Sequence, residues 1–359
     1  MKYINFYLTA AFLIITLALL PAGRVSATAL QETALQETAS QEKPPAPPPQ
    51  QKDDKSKKPA EGEGDQDDQI KLATQLVTVP FNVTDKKNRY INDLAKEEIE
   101  LLEDGKPQQL FSFERQTDLP ITIAMLIDIS GSQEYTLPAE KAAGQRFFRK
   151  VLRPNKDIAA VVTFEHESVL VQDLTSNVEK LHEAIEDVRI SVTNVSVGSV
   201  GGTPPISGSG AGSTSMYDSI YSVSSDLLRR EAGRRVIILI TDGHDTSSHV
   251  KLRDAIERTW RNEVIVYSIG IGDPSYGVNS GELKKIASET GGRAFFPRGE
   301  EDLDKAFALI DEDLRSQYIL SYGSSNEAND GSFRTIQVKV KTRKDLTVRH
   351  RRGYFAPKL

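Results

Sequence analysis

The chain has 359 residues, 27% charged and 38% hydrophobic, enough for two soluble domains or one large domain with attachments. A formal net charge of -6 argues against a non-specific nucleic-acid binder. The absence of cysteine excludes disulfides, thiolate metal sites and cysteine nucleophiles.

Residues 1–27 have the form of a signal peptide. Lys2 gives the positive start, Leu8 to Leu20 the apolar run, Pro21 the break, and Val25-Ser26-Ala27 a small-residue cleavage site. The run is short beside the roughly 20 residues of a membrane span, and an uncleaved anchor is the alternative. The expectation is an exported protein (periplasmic, outer-surface or secreted) with no integral membrane domain after signal cleavage.

Residues 28–69 show no apolar period. Ala29-Leu30-Gln31-Glu32-Thr33 repeats at once as Ala34-Leu35-Gln36-Glu37-Thr38, and Pro44-Pro45-Ala46-Pro47-Pro48-Pro49 follows. A mixed-charge stretch then ends in Glu61-Gly62-Glu63-Gly64-Asp65. Such a composition cannot bury enough apolar surface to offset its ordering entropy, so the segment reads as a disordered spacer.

Residues 70–118 read as a small β unit. Leu72 to Val83 alternates at strand period, and Pro80, which cannot donate to a ladder, suggests an edge position. Ile99 to Glu103 and Gln109 to Phe113 flank Asp104-Gly105, a tight-turn dipeptide.

Residues 119–316 change character. Apolar strands are expected at Ile121 to Ile129, Ile158 to Phe164, Val236 to Thr241 and Val264 to Ile269, with a weaker one at Ala294 to Phe296. Ser168 to Val171 reads as a short antiparallel edge. Helical stripes follow Pro138, a capping box of Ser176 and Glu179, Tyr217, Leu252 and Leu283, the last ended by Gly291-Gly292. A final helix carries Leu303 to Leu314, with Glu300, Glu301 and Asp302 near its positive end. Near-continuous apolar strands between helices predict an α/β fold, a doubly wound and mostly parallel sheet covered on both faces. Residues 317–359 return to strands at Tyr318 to Tyr322, Thr335 to Lys341 and Leu346 to His350, closing with Gly353-Tyr354-Phe355. The two β segments are expected to pair as a small β-sandwich, with the α/β domain inserted between them.

Ligands of an open α/β sheet bind beyond the carboxyl ends of its strands. Asp128, Ser130 and Ser132 leave the first strand there, Asp242 leaves the strand ending at Thr241, and Thr214 heads the helix carrying Tyr217. Two carboxylates and three hydroxyls suit Mg²⁺, with Ca²⁺ or Mn²⁺ as alternatives, and argue against zinc, which prefers His and Cys. Neutral hydroxyls with few carboxylates leave a cation under-neutralised, so a carboxylate from another molecule can complete its shell.

This order, Asp-x-Ser-x-Ser, then Thr, then Asp, resembles the von Willebrand factor A (VWA) domain and its metal-ion-dependent adhesion site. The span from about Leu76 to Phe355 is similar to the secreted bacterial VWFA-related proteins abundant in Acidobacteria. There a segment ending like Glu103-Asp104-Gly105-Lys106-Pro107 precedes the A domain, and a tail ending like Arg352-Gly353-Tyr354-Phe355 follows it. The resemblance implies a Rossmann-like VWA fold, metal-dependent adhesion, and a protein partner presenting Asp or Glu. Gly202-Thr203-Pro204 also matches the family's Gly-Thr segment. Thr214 is taken as the metal-site threonine because a striped helix starts there; Thr203 is the alternative.

The loop from Arg189 to Ser213 is long for this fold, as a lid beside the metal or as a plain loop. His244, Asp245 and His249 show no nucleophile or ligand spacing and read as surface-loop residues, and Asp218 and Asp226 as a solvated face or helix-end charges. Lys339, Lys341, Arg343, Lys344, Arg349, Arg351 and Arg352 read as the outer face of strands. No enzymatic activity is expected. An envelope scaffold in which metal is optional, and a metal-assisted hydrolase, are the competing readings.

Overall fold

The computed structural model describes residues 76–191, 213–273, 275 and 277–358. The signal segment, the spacer, Thr203 and most of the long loop lie outside the described residues. The chain opens with β1 (Leu76–Thr84), β2 (Ile99–Glu103), β3 (Lys106–Gln108) and β4 (Leu110–Arg115). Next come β5 (Ile121–Asp128), α1 (Leu137–Val151), β6 (Ile158–Phe164), β7 (Ser168–Thr175) and α2 (Val178–Asp187). α3 (Met216–Ser222) runs on into a π turn over Val223–Leu227. β8 (Arg234–Thr241), α4 (Leu252–Arg261), β9 (Val264–Gly270), α5 (Ser280–Thr290), β10 (Ala294–Phe295) and α6 (Glu300–Arg315) complete the α/β part. β11 (Tyr318–Gly323), β12 (Phe333–Val340), β13 (Thr347–His350) and β14 (Gly353–Phe355) close the chain.

The central sheet has the order β10-β9-β8-β5-β6-β7, parallel except for β7. Side chains of a strand alternate between faces. Ile123, Met125 and Ile127 of β5 therefore join one apolar layer, with Phe147 of α1, Leu181 of α2 and Phe307 of α6. Ala124 and Leu126 join the other, with Ile220 of α3, Ile256 of α4 and Leu283 of α5. Both faces are covered, which is why β5, β8 and β9 read as unbroken apolar runs. The cap of α2 is Asn177, not Ser176: its Oδ1 accepts from Glu179 N at 3.0 Å and Lys180 N at 3.3 Å. Asn caps as well as Ser and stands next to the first helical residue.

The flanking segments build two more sheets, β13-β1-β11-β4 and β14-β12-β2-β3. Val79, Phe81, Leu101, Tyr318, Leu320 and Val338, drawn from both sheets, share one core, so the pair is a sandwich. β1 is an interior strand, contrary to the edge position that Pro80 suggests. β11 pairs with Leu76–Phe81 and β13 only with Phe81–Thr84, so Pro80 falls just short of its second neighbour. The missing N–H is thus tolerated without an edge. Asp104 and Gly105 both have positive φ, at 47° and 79°, and form the tight turn between β2 and β3. The hairpin partner is Lys106–Gln108, earlier than expected, and the chain then crosses to the other sheet as β4.

The two flanking motifs meet inside this sandwich. Buried Glu103 accepts from Tyr322 Oη at 2.7 Å, Tyr354 Oη at 2.9 Å and Ser324 Oγ at 2.5 Å. Arg334 Nη1 stands 3.5 Å from the same carboxylate.

The sandwich packs against the amino-terminal edge of the central sheet. Arg234, which opens β8, donates to the carbonyls of Gln116 and Leu314. Arg351 pairs with Glu263 at 3.0 Å and donates to Thr78 O at 2.8 Å. Trp260 of α4 stacks on Phe333 with ring centroids 4.5 Å apart. Near the end of α6, buried Asp313 accepts from Tyr90 Oη, and its backbone carbonyl accepts from Asn82 Nδ2 at 2.8 Å. The carboxyl-terminal edge lies opposite this seam.

Candidate metal centre

β5 and β8 are adjacent and parallel, with Ile127 beside Ile240, so Asp128 and Thr241 finish side by side. Thr241 Oγ1 donates to Asp128 Oδ2 at 2.6 Å, and Ser130 N donates to Oδ1 at 2.9 Å. The hydroxyls of Ser130 and Ser132 lie 3.0 Å apart. Asp242 is buried, and its Oδ1 accepts from His244 N at 3.0 Å. Burial pushes the Asp128 carboxyl up to about 6, against its hydrogen bonds to Thr241 and Ser130, and the charge of Asp242 adds to the rise. Gly272 closes in beside the site: a Cβ there would stand 2.7 Å from Asp242 Cβ.

Thr214 reaches the same edge through the loop after β8. Its N–H donates to Thr246 Oγ1 at 2.8 Å, and its carbonyl accepts from Thr246 N at 2.9 Å and Ser247 N at 3.2 Å. Asp245 Oδ2 accepts from Tyr217 N at 2.9 Å, and Ser248 Oγ accepts from Tyr217 N and Asp218 N, both at 3.1 Å. The open donors of α3 are thus capped from about 30 residues downstream. Asp218 is not simply solvated. It accepts from His249 N and Val250 N, both at 2.9 Å, and pins that loop. Asp226 is exposed, as expected.

Two residues escape the sequence reading. Gln133 is fully buried between the loops. In the amide orientation that satisfies its neighbours, its nitrogen donates to Glu140 Oε1 at 3.2 Å and Ile271 O at 3.2 Å, and its oxygen accepts from Asp242 N at 3.2 Å. Glu140, on α1, lies fully buried behind it, and its Oε2 has no partner among the described residues. Burial drives the Glu140 carboxyl up to about 8, with Asp128 and Asp242 adding repulsion. The apolar stripe of Leu137, Ala143, Gly144 and Phe147 on α1 is the signal that places Glu140 inside.

The structure therefore brings Asp128, Ser130, Ser132 and Asp242 together through Thr241 and Gln133, and ties Thr214 to the same edge. Among the described residues no group of three or more His, Asp or Glu side chains is placed to hold a metal. The centre instead combines two carboxylates with hydroxyls. This all-oxygen set fits a hard cation, and a cation there would offset the buried repulsion between Asp128 and Asp242.

A Rossmann-like layer with this split oxygen site defines a class. Residues 122–308, just over half of the chain, match the family model described as von Willebrand factor type A domain, and the chain belongs to that family. Among solved structures it is similar to proximal thread matrix protein 1 from the mussel byssus: 19% identity, TM-score 0.45, covering 57% of this chain and 48% of that one. Another structure of that mussel protein is described as having a zinc-occupied MIDAS motif. The chain spans about half the length of the mussel protein. A von Willebrand factor type A protein from Catenulispora acidiphila is similar at 16% identity and TM-score 0.44, over 70% of this chain and 74% of that one. BatB from Bacteroides thetaiotaomicron is similar at 18% identity and TM-score 0.40, over 55% of this chain and all of that one. No curated protein matches the chain. Among the described residues no helix is long and apolar enough to cross a membrane.

Proposed function

We propose that the protein is an exported, metal-dependent protein-binding module. Asp128, Ser130, Ser132, Thr214 and Asp242 would hold Mg²⁺ directly or through water, with Ca²⁺ or Mn²⁺ as substitutes. The observation that carries this reading is the convergence of three loops, bearing two carboxylates and three hydroxyls, at the sheet edge opposite the sandwich. Held there, Mg²⁺ would supply positive charge at a position for an Asp or Glu of the partner. The residues of the chain set up that position. Thr241 and Ser130 fix Asp128, Gln133 holds the backbone of Asp242, and the Asp245 loop holds Thr214. The reading is of binding, not turnover. Asp245 is spent on backbone donors, and His249 is paired with Asp218 at 3.0 Å. Export rests on the form of residues 1–27.

A second reading, a scaffold in which metal is optional, draws on those same hydrogen bonds, which join the loops through protein groups alone. The test is capture of a partner from an envelope extract by the purified chain. Mg²⁺ should support it, EDTA should weaken it, and Asp128→Ala should abolish it. Mg²⁺ should stabilise the fold by about 2.7 kcal/mol at a hundredfold excess over Kd and so raise its melting temperature. Melts and capture that ignore Mg²⁺, EDTA and Asp128→Ala alike would leave the scaffold.

A further inference from the structure

Far in sequence from the metal-centre loops, a pocket opens between α5 and β13. Its charged lining is Lys284, Lys285, Arg293 and Arg349, and the rest is small residues of α5 and of the chain leading to β10. The lysines are exposed, and among the described residues neither has a carboxylate within ion-pair distance. Arg293 and Arg349 are largely buried and share one carboxylate, Asp313, at 3.6 Å and 3.8 Å. Those separations are too long for good hydrogen bonds, and the nearer acceptors are neutral hydroxyls, Tyr90 Oη for Arg293 and Thr84 Oγ1 for Arg349, both at 3.3 Å. Arg349 Nε is buried with no acceptor among the described residues. Of the nearby carboxylates of α5, Glu289 pairs through Oε1 with Arg352 at 2.8 Å, its Oε2 having no hydrogen-bond partner among the described residues, and Glu282 accepts from Tyr217 Oη.

Four cations and one shared carboxylate leave three positive charges in excess, on a chain whose net charge is -6. A buried guanidinium nitrogen without an acceptor, as at Arg349 Nε, is costly, and an anion entering the pocket relieves that cost. Two guanidinium and two ammonium side chains along one lining suit a compact, multiply charged oxyanion. A carboxylate, with its single charge and two oxygens, would use fewer of them. The pocket meets a second groove at Ser288, lined by His350 and Arg352 among others, so there is room for what the anion is attached to.

We propose that this pocket binds a phosphate group, independently of the metal centre. The group can come from a lipid headgroup or from a soluble phosphate compound. The experiment uses the full chain, free of divalent metal, with radiolabelled inorganic phosphate in equilibrium dialysis, acetate as competitor, and flotation with vesicles. One vesicle set is pure phosphatidylcholine and the other contains phosphatidylglycerol. Saturable phosphate binding is expected, poorly displaced by acetate and weakened about tenfold or more in K284E/K285E. Both lysines are exposed, so the fold should hold. If melts of that variant fall, K284A/K285A repeats the comparison.

With phosphate binding established, retention on the phosphatidylglycerol vesicles alone, lost in the variant, assigns the headgroup. Phosphate binding without flotation assigns a soluble ligand. Absence of saturable phosphate binding, equal binding by both lysine variants and the wild type, or flotation without phosphate binding overturns the proposal.

Discussion

Two buried glutamates show how differently one chain treats the same side chain. Glu103, in the sandwich, receives three hydroxyl donors and faces Arg334. Glu140, behind the metal centre, has one oxygen bonded and one with no partner among the described residues. The first is a joint: every group around it gains from its charge. The second is a load, because its charge is opposed by burial, by Asp128 and by Asp242. A fold keeps joints for stability. A load persists where the surrounding structure is shaped for something else, here for holding Asp242 through Gln133.

The sharpest way to break this contrast is pH. The Glu140 carboxyl titrates near 4.5 in its ordinary state and at about 8 in the fold, so the folded chain holds its proton more tightly. Below 4.5 both states are protonated and nothing is lost. As pH rises towards 8 the unfolded state ionises first, and stability falls by at most about 5 kcal/mol. The raised carboxyl of Asp128 adds a loss of the same sign between 3.8 and about 6. In metal-free urea titrations Glu140→Gln should therefore match the wild type near pH 4.5 and exceed it at pH 8. A variant that is equally or less stable at pH 8 would return Glu140 to the class of joints.

Glu103→Ala should do the reverse. It strands Arg334, Tyr322 and Tyr354 in the sandwich core, and removal of one partner of a buried pair costs roughly 3–5 kcal/mol. The loss should appear in urea midpoints, while Mg²⁺ affinity of the folded variant stays at the wild-type level because the sandwich lies at the opposite edge. A parallel fall in Mg²⁺ affinity would show that the two edges are coupled.

Much of this was readable from residues alone, for physical reasons. Strands buried on both faces write themselves as apolar runs, so β5, β8 and β9 were legible. The Asp-x-Ser-x-Ser run at the end of β5, with Asp242 at the end of β8, marked the edge where ligands collect. What was not legible depends on distant pairing. Pro80 suggested an edge because its neighbours β11 and β13 come more than 230 residues later, and only their lengths explain its position. Asp218 looked solvated because the N–H groups it accepts from lie about 30 residues on. Nothing in the sequence singled out Gln133 and Glu140, because helix periodicity says which face is buried, not that a polar residue will occupy it.

The smallest expected effect tests how the third loop is held. Asp245 caps Tyr217 N from outside the helix, so Asp245→Ala should cost about 1 kcal/mol of stability, as for other lost caps. If that cap also fixes Thr214, Mg²⁺ affinity measured by calorimetry should fall about tenfold, the usual scale for a lost supporting contact. Asp226→Ala is the control. Asp226 is exposed on the turn continuing α3, and its removal should change neither quantity. An Asp245→Ala protein that loses stability yet keeps its Mg²⁺ affinity would separate the cap from the metal centre. Thr246 and Ser247, which bond the backbone of Thr214 directly, would then be what positions the threonine.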